Sequence, residues 1–304
     1  MNEAKTDEQP GAIGVEHEPE TLNISWLFWR PLVITTAIYC ILVFACSAMV
    51  VTIQGAWFFT AASAVIFAQS QLTAIYAALG PESYWKRLAI SQACLIVVFL
   101  SFVGGFFLGS GIQPISNDLP NAIAIVLLAS SLGSQATFGF LRIVGGWRVH
   151  KTNMPRGNVY SIGDILVLMM FLAISLSILN AFAFRTEFDD TDNIPAFLLT
   201  TAGFVVGTLV YGVPTLLSTF RLKESENGCV AQLIIVVVLA FMSCMPFVAL
   251  GAVLVIGPII GFLVGCSIFT WAPLLHMRES DFVLSNRTGD GRKEMPSEAK
   301  SILR

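Results

Sequence analysis

Charge is scarce in this chain of 304 residues, and it is missing altogether from the middle of the long apolar runs. Asp, Glu, Lys and Arg make up 12% of the residues, against roughly 25% in water-soluble domains, while hydrophobic residues reach 55%. Mean hydropathy is +0.76. This composition excludes a water-soluble globule and places the chain in a bilayer. The lack of midspan charge argues against a proton relay, an ion path or a membrane-embedded catalytic centre, because those functions place ionisable groups inside the membrane. Cysteine offers no framework either. Cys40, Cys46, Cys94, Cys229, Cys244 and Cys266 stand in or at the ends of apolar runs with no CxxC pair, so neither a disulfide scaffold nor a zinc site is expected. His17, His150 and His276 are dispersed, which leaves no metal cluster or nucleophile and base pair to assemble. No catalytic residue, metal, cofactor or nucleic-acid partner is therefore expected.

What is present is a pattern of long apolar runs. A membrane-spanning helix needs about 20 apolar residues, and eight runs qualify: 31 to 53, 57 to 80, 88 to 109, 120 to 142, 161 to 184, 195 to 220, 229 to 249 and 251 to 273. The last two are separated only by the stretch from Pro246 to Gly251. Joined as one helix they would reach roughly 67 Å, about twice the hydrocarbon thickness, so two spans are expected. Of the 17 Lys and Arg residues, 16 fall in alternate gaps between runs and only Arg185 falls in the others. Under the positive-inside rule this puts both termini in the cytoplasm. Trp26, Trp29, Trp57, Tyr84, Trp85, Trp147, Tyr160 and Trp271 lie near span ends, where interfacial anchoring is expected.

The first 25 residues carry Glu3, Asp7, Glu8, Glu16, Glu18 and Glu20 and few large apolar groups, a composition that cannot offset chain entropy by burial. A cleaved signal peptide would open on a basic stretch and a short apolar one, so the first span is expected to stay as an anchor. The organisation read from the sequence is a disordered acidic tail (1–25), an all-α polytopic bundle of eight transmembrane helices (26–276) and a disordered cytoplasmic tail (277–304).

One internal echo is present. Ser70, Gln71, Thr73 and Tyr76 in the second span recur as Ser134, Gln135, Thr137 and Phe140 in the fourth, 64 residues on. Spans two apart run in the same direction, so a duplication of this kind would be a parallel repeat of helical hairpins. Ser130, Ser134 and Thr137 fall at i, i+4 and i+7, which makes Ser70, Gln71, Thr73, Ser134, Gln135 and Thr137 the candidate polar path. The alternative for these residues, and for Gln69, Gln92, Asn180 and Gln232, is hydrogen bonding between helices. Glycines four apart form three candidate packing faces: Gly105 with Gly109, Gly203 with Gly207, and Gly257 with Gly261 and Gly265. Pro214, Pro246 and Pro258 lie inside spans and are expected to kink them. Asp164 is the candidate titratable site, although Ser161 precedes it with the spacing of a helix cap. The outward acids Glu187, Asp189, Asp190 and Asp192 lack the glycine and terminal glutamate of a calcium loop and read as solvated charge.

Trp147 and Arg148, the segment Tyr160 to Leu166, and Leu79, Gly80 and Pro81 with Trp85 to Arg87 resemble uncharacterised multi-pass membrane proteins of planctomycete-type bacteria. The resemblance covers residues 57 to 185, departs from the pattern at Gly163, and implies a fold and a bacterial cytoplasmic membrane rather than an activity. Three function classes follow. The first is a non-catalytic membrane component, embedded in the lipid bilayer and packed against a membrane-protein partner or a second copy. The second is a small-molecule or ion transporter using the polar residues of spans two and four. The third is an intramembrane enzyme, for which Asp164 and His150 are the pair to check.

Overall fold

A computed structural model describes residues 19–53, 55–110, 118–151, 201–221, 225–249 and 256–285. Backbone N–H and C=O groups inside a bilayer must bond within their own segment, so the apolar runs fold as helices. In chain order these are α1 (Pro19–Ile53), α2 (Ala56–Leu79), α3 (Tyr84–Ser110), α4 (Asp118–Gly145), α5 (Thr201–Arg221), α6 (Ser225–Ala249) and α7 (Ile256–Glu279). Five of them, α1, α2, α3, α5 and α7, are long and apolar enough to cross a membrane, and α6 carries a shorter apolar stretch, Val230–Met242. The expected fifth run, 161 to 184, lies outside the described residues. Where one long helix and two spans were the alternatives, α6 ends at Ala249 and α7 begins at Ile256.

The axis of the bundle is α2. Two-thirds of its most apolar stretch (67%) is buried inside the protein, against 22% to 39% for the other four crossing helices. Six of its alanines, Ala62, Ala64, Ala68, Ala74, Ala77 and Ala78, are buried, and such small side chains let neighbouring helices approach closely. Packed around it are α1, α3, α4 and α7. The opposite character is seen on α6, where Leu233, Ile234, Val237, Val238 and Phe241 point outward, as expected of a surface that faces lipid.

Among the described residues, every Lys and Arg stands at one end, where α1 and α3 begin and α2, α4, α5 and α7 finish. That end is closed by a feature the all-α expectation did not include. β1 (Arg148–Lys151) follows α4, β2 (Phe282–Ser285) follows α7, and the two pair antiparallel with Val149 opposite Leu284 and Lys151 opposite Phe282. Gly146, at φ 64°, makes the turn from α4 into β1, and Asp281, at φ 65°, makes the turn from α7 into β2. Both lie in the left-handed region, where Gly is unstrained and Asp is better tolerated than most residues. Val149 and Phe282 bury their side chains against Phe28, Tyr76 and Met277, so the sheet caps the apolar core.

Two boundaries and two roles differ from the sequence reading. Helix α1 starts at Pro19, inside the expected acidic tail, and carries Pro31 within it. Beyond the expected end of the bundle at 276, α7 and β2 add ordered chain to Ser285. Pro258 falls in the first turn of α7, where a missing N–H costs nothing, and Pro273 lies inside the helix instead. Trp29 is not an interfacial anchor: it is buried against Phe28 and Tyr76, whereas Trp57 and Trp85 are exposed.

Candidate functional site: a buried polar network

Two of the six candidate path residues, Gln71 and Ser134, meet each other. Gln71 of α2 donates from Nε2 to Ser134 Oγ of α4 at 2.8 Å and to Thr208 Oγ1 of α5 at 3.0 Å. Ser134 and Thr208 are themselves 3.0 Å apart, and Thr208 donates to its own helix at Phe204 O, 2.7 Å. One amide thus ties three helices. Gln69 reaches the other way, donating to Thr36 of α1 at 2.7 Å. Gln92 of α3 and Gln135 of α4 share Ser131 Oγ, at 3.2 and 3.0 Å. A further amide, Gln232 of α6, bonds Thr215 of α5 at 3.1 Å and Ser267 of α7 at 2.8 Å, and accepts from Ser218 at 3.3 Å.

Three of the four hydroxyls of the expected path turn back onto their own helices. Ser70 donates to Ile66 O at 3.1 Å, Thr73 to Gln69 O at 2.9 Å, and Thr137 to Gly133 O at 2.9 Å. All six path residues are buried, and none lines a described cavity. The environments of the 64-residue echo differ at its last pair, with Tyr76 fully buried on the axial helix and Phe140 62% exposed. Gln71 retains one unsatisfied group, Oε1, which lies over Gly212.

Gly212 ends a π-helical turn, Thr208–Gly212, in the middle of α5. The cause is local: Pro214 has no N–H and its ring crowds the preceding turn, so the ladder widens and Val213 N–H bonds Thr208 O. Within this turn, Tyr211 sits beside Thr215, Ser267 and Thr270.

At the basic end, two arginines that the sequence reading assigned to topology alone are built into the core. Arg87 of α3 is 1% exposed and donates to Ala78 O at 3.0 Å, with Tyr84 beneath its guanidinium. Arg142 of α4 donates to Ala78 O at 2.6 Å and to Gly80 O at 3.0 Å. Both cations therefore meet the carbonyls that α2 leaves open at its C-terminus, where the helix dipole is negative. Arg278 repeats the arrangement on α5, donating to Thr219 O at 3.1 Å.

The three glycine pairs have three fates. Gly105 and Gly109 pack against the α1 backbone at Phe44 and Ala48. Gly257 and Gly261 lie under the Trp57 indole, and Gly265 faces Ala64. Gly203 and Gly207 have no described atom within 4 Å of where a Cβ would stand. Asp164 and the acidic loop lie outside the described residues, and His150, its suggested partner, sits in β1 with Nδ1 3.3 Å from Ser285 Oγ. Among the described residues no three His, Cys, Asp or Glu side chains gather to hold a metal ion.

The partners Thr36, Ser131, Thr208, Thr215 and Ser267 were absent from the sequence reading. A signal for some of them exists, since Thr208, Thr215 and Thr219 fall at i, i+7 and i+11 on one face of α5. These features together define a helical integral membrane protein in which several buried amides and hydroxyls bond between helices. No protein-family model, curated protein or solved structure matches the chain, and the resemblance of residues 57 to 185 stays at the level of short motifs.

Proposed function

We propose that this chain is an eight-span protein of the bacterial cytoplasmic membrane, with both termini in the cytoplasm, that works without catalysis by packing against a membrane partner or a second copy of itself. The observation that carries this reading is the closed state of the amides: Gln69, Gln71, Gln135 and Gln232 are all buried and each bonds a neighbouring side chain. Of these, Gln69, Gln71 and Gln232 bond across helices, which holds the bundle together at roughly 0.6–2 kcal/mol each. The clustering of described basic residues at one end supports the orientation. The glycine pair on α5, open among the described residues and flanked by exposed Val206 and Val210, supplies a face on which another helix backbone can lie.

Transport is the second reading, favoured by the π turn beside the Gln71, Ser134 and Thr208 trio, because such turns are frequent at functional sites. One set of variants separates the two. In a cysteine-free background, Gln71→Cys and Gln135→Cys are treated with a membrane-impermeant thiol reagent, and Gly203→Cys with a bifunctional crosslinker in native membranes. Packing predicts unreacted core positions and a Gly203→Cys adduct of higher mass. Solute-protectable labelling at position 71, with no adduct, would replace it with transport.

A further inference from the structure

At the end of the bundle away from the arginines, α2, α3, α4, α5 and α7 enclose a half-open cavity of about 190 Å³. Its walls are aromatic. Phe67 stacks on Phe204 at 5.7 Å and 27°, and meets Phe262 at 5.9 Å, and Phe59 and Phe102 add two more rings to the lining. An apolar cavity of about 150 Å³ holds a benzene molecule, so this one accommodates a single substituted ring. Two hydroxyls stand in the wall, those of Ser63 and Ser130, and the second is the buried one. Ser130 is 2% exposed and its Oγ has no hydrogen-bond partner, unlike the hydroxyls of Ser70, Thr73 and Thr137, which bond back to their own helices.

We propose that this cavity binds the ring of a small membrane-soluble molecule that carries one hydrogen-bonding oxygen, as a phenol or a quinone does. Ring faces supply offset and edge contacts to the phenylalanines, and the ligand oxygen satisfies Ser130. A plain hydrocarbon chain would fill the space but leave the hydroxyl unpaired in an apolar wall, which is the costly arrangement. The entrance faces lipid: Val126 at the rim is 44% exposed, and a shallower groove of about 140 Å³ between α3 and α4 shares Leu127 with the cavity and runs on toward Gln92. The site is distinct from the packing role proposed above: its lining side chains make none of the amide bonds, and it meets that network only through the Phe204 carbonyl, which accepts from Thr208.

The test uses 4-fluorophenol and 4-fluorotoluene, rings of equal size that differ by a hydroxyl, titrated into the detergent-purified full chain and followed by fluorine NMR. Val126→Phe closes the mouth at a lipid-facing position, and Ser130→Ala removes the hydroxyl without adding bulk. The expected result is saturable binding of both probes to the wild type, about fivefold tighter for the phenol, the effect of one net neutral hydrogen bond. Ser130→Ala equalises the two, and Val126→Phe abolishes saturation. Identical signals from wild type and Val126→Phe would mean partition into micelles only and would overturn the site. Equal affinities that Ser130→Ala leaves unchanged would overturn the role of the oxygen.

Discussion

Two glycines of the same spacing class respond in opposite ways to the same methyl group. At Gly105 the new Cβ would land on Phe44 O and Ser47 Oγ, far inside contact distance, and one of these obstacles is backbone. Ser47 Oγ is itself held, 2.7 Å from Val43 O and 3.0 Å from Phe44 O. The Gly105→Ala variant can therefore form only if α1 and α3 move apart along their shared seam, an overpacking cost of about 1–3 kcal/mol. Gly203 meets no described atom, so Gly203→Ala gains helix propensity, up to about 1 kcal/mol, with no clash to set against it. Unfolding in mixed micelles, followed by circular dichroism, gives both free energies on one scale. The Gly105→Ala, Ser47→Ala double variant should recover only part of the loss, because the Phe44 carbonyl remains in place. Equal stabilities for the two single alanine variants would refute the assignment of Gly105 to a backbone contact.

Other variants probe the remaining contacts. Arg142→Gln should lower stability by about 1.5–3 kcal/mol, because two carbonyls at the end of α2 lose a charged donor; thermal unfolding of the purified protein reads the loss. Gln71→Leu should cost about 1 kcal/mol, since Ser134 and Thr208 still bond each other at 3.0 Å, and a double-mutant cycle with Thr208→Val should return a coupling of about 0.6–2 kcal/mol. Val149→Asp buries a carboxylate beneath the β1 and β2 sheet and should cost more than 3 kcal/mol, whereas exposed Val283→Thr should be near neutral; expression level and melting temperature distinguish them. Pro214→Ala restores an N–H to α5 and should convert the Thr208–Gly212 π turn toward regular helix, seen as slower amide exchange at Val213 to Thr215.

The crossing helices were legible because their signal is one-dimensional. A run of about 20 apolar residues must bond its own backbone in lipid, so Trp57 to Leu79 declares itself without reference to any neighbour. The separation of α6 from α7 was legible too, from length alone. The sheet was not, because Arg148–Lys151 and Phe282–Ser285 are four-residue segments more than 130 residues apart, and only the meeting of the ends of α4 and α7 brings them into register.

The candidate site divides in the same way. Composition marks Gln71, Gln135 and Gln232 as groups that need partners in an apolar medium, and that requirement belongs to the sequence. Which partner each finds depends on how the helices are rotated about their axes, information that helical periodicity supplies for one helix at a time and never for a pair. Glycine spacing likewise marks a smooth groove, but whether α1, an indole or open space fills it was decided by packing. The sequence by itself determined that this chain is helical, apolar and basic at one end. Only the tertiary structure decided that Arg87 and Arg142 close α2, that the amides donate to the hydroxyls of Thr36, Ser131, Ser134, Thr208, Thr215 and Ser267, and that an unpaired Ser130 hydroxyl stands in an aromatic cavity. The physical reason is that apolarity is a property of each residue, while hydrogen-bond satisfaction is a property of pairs.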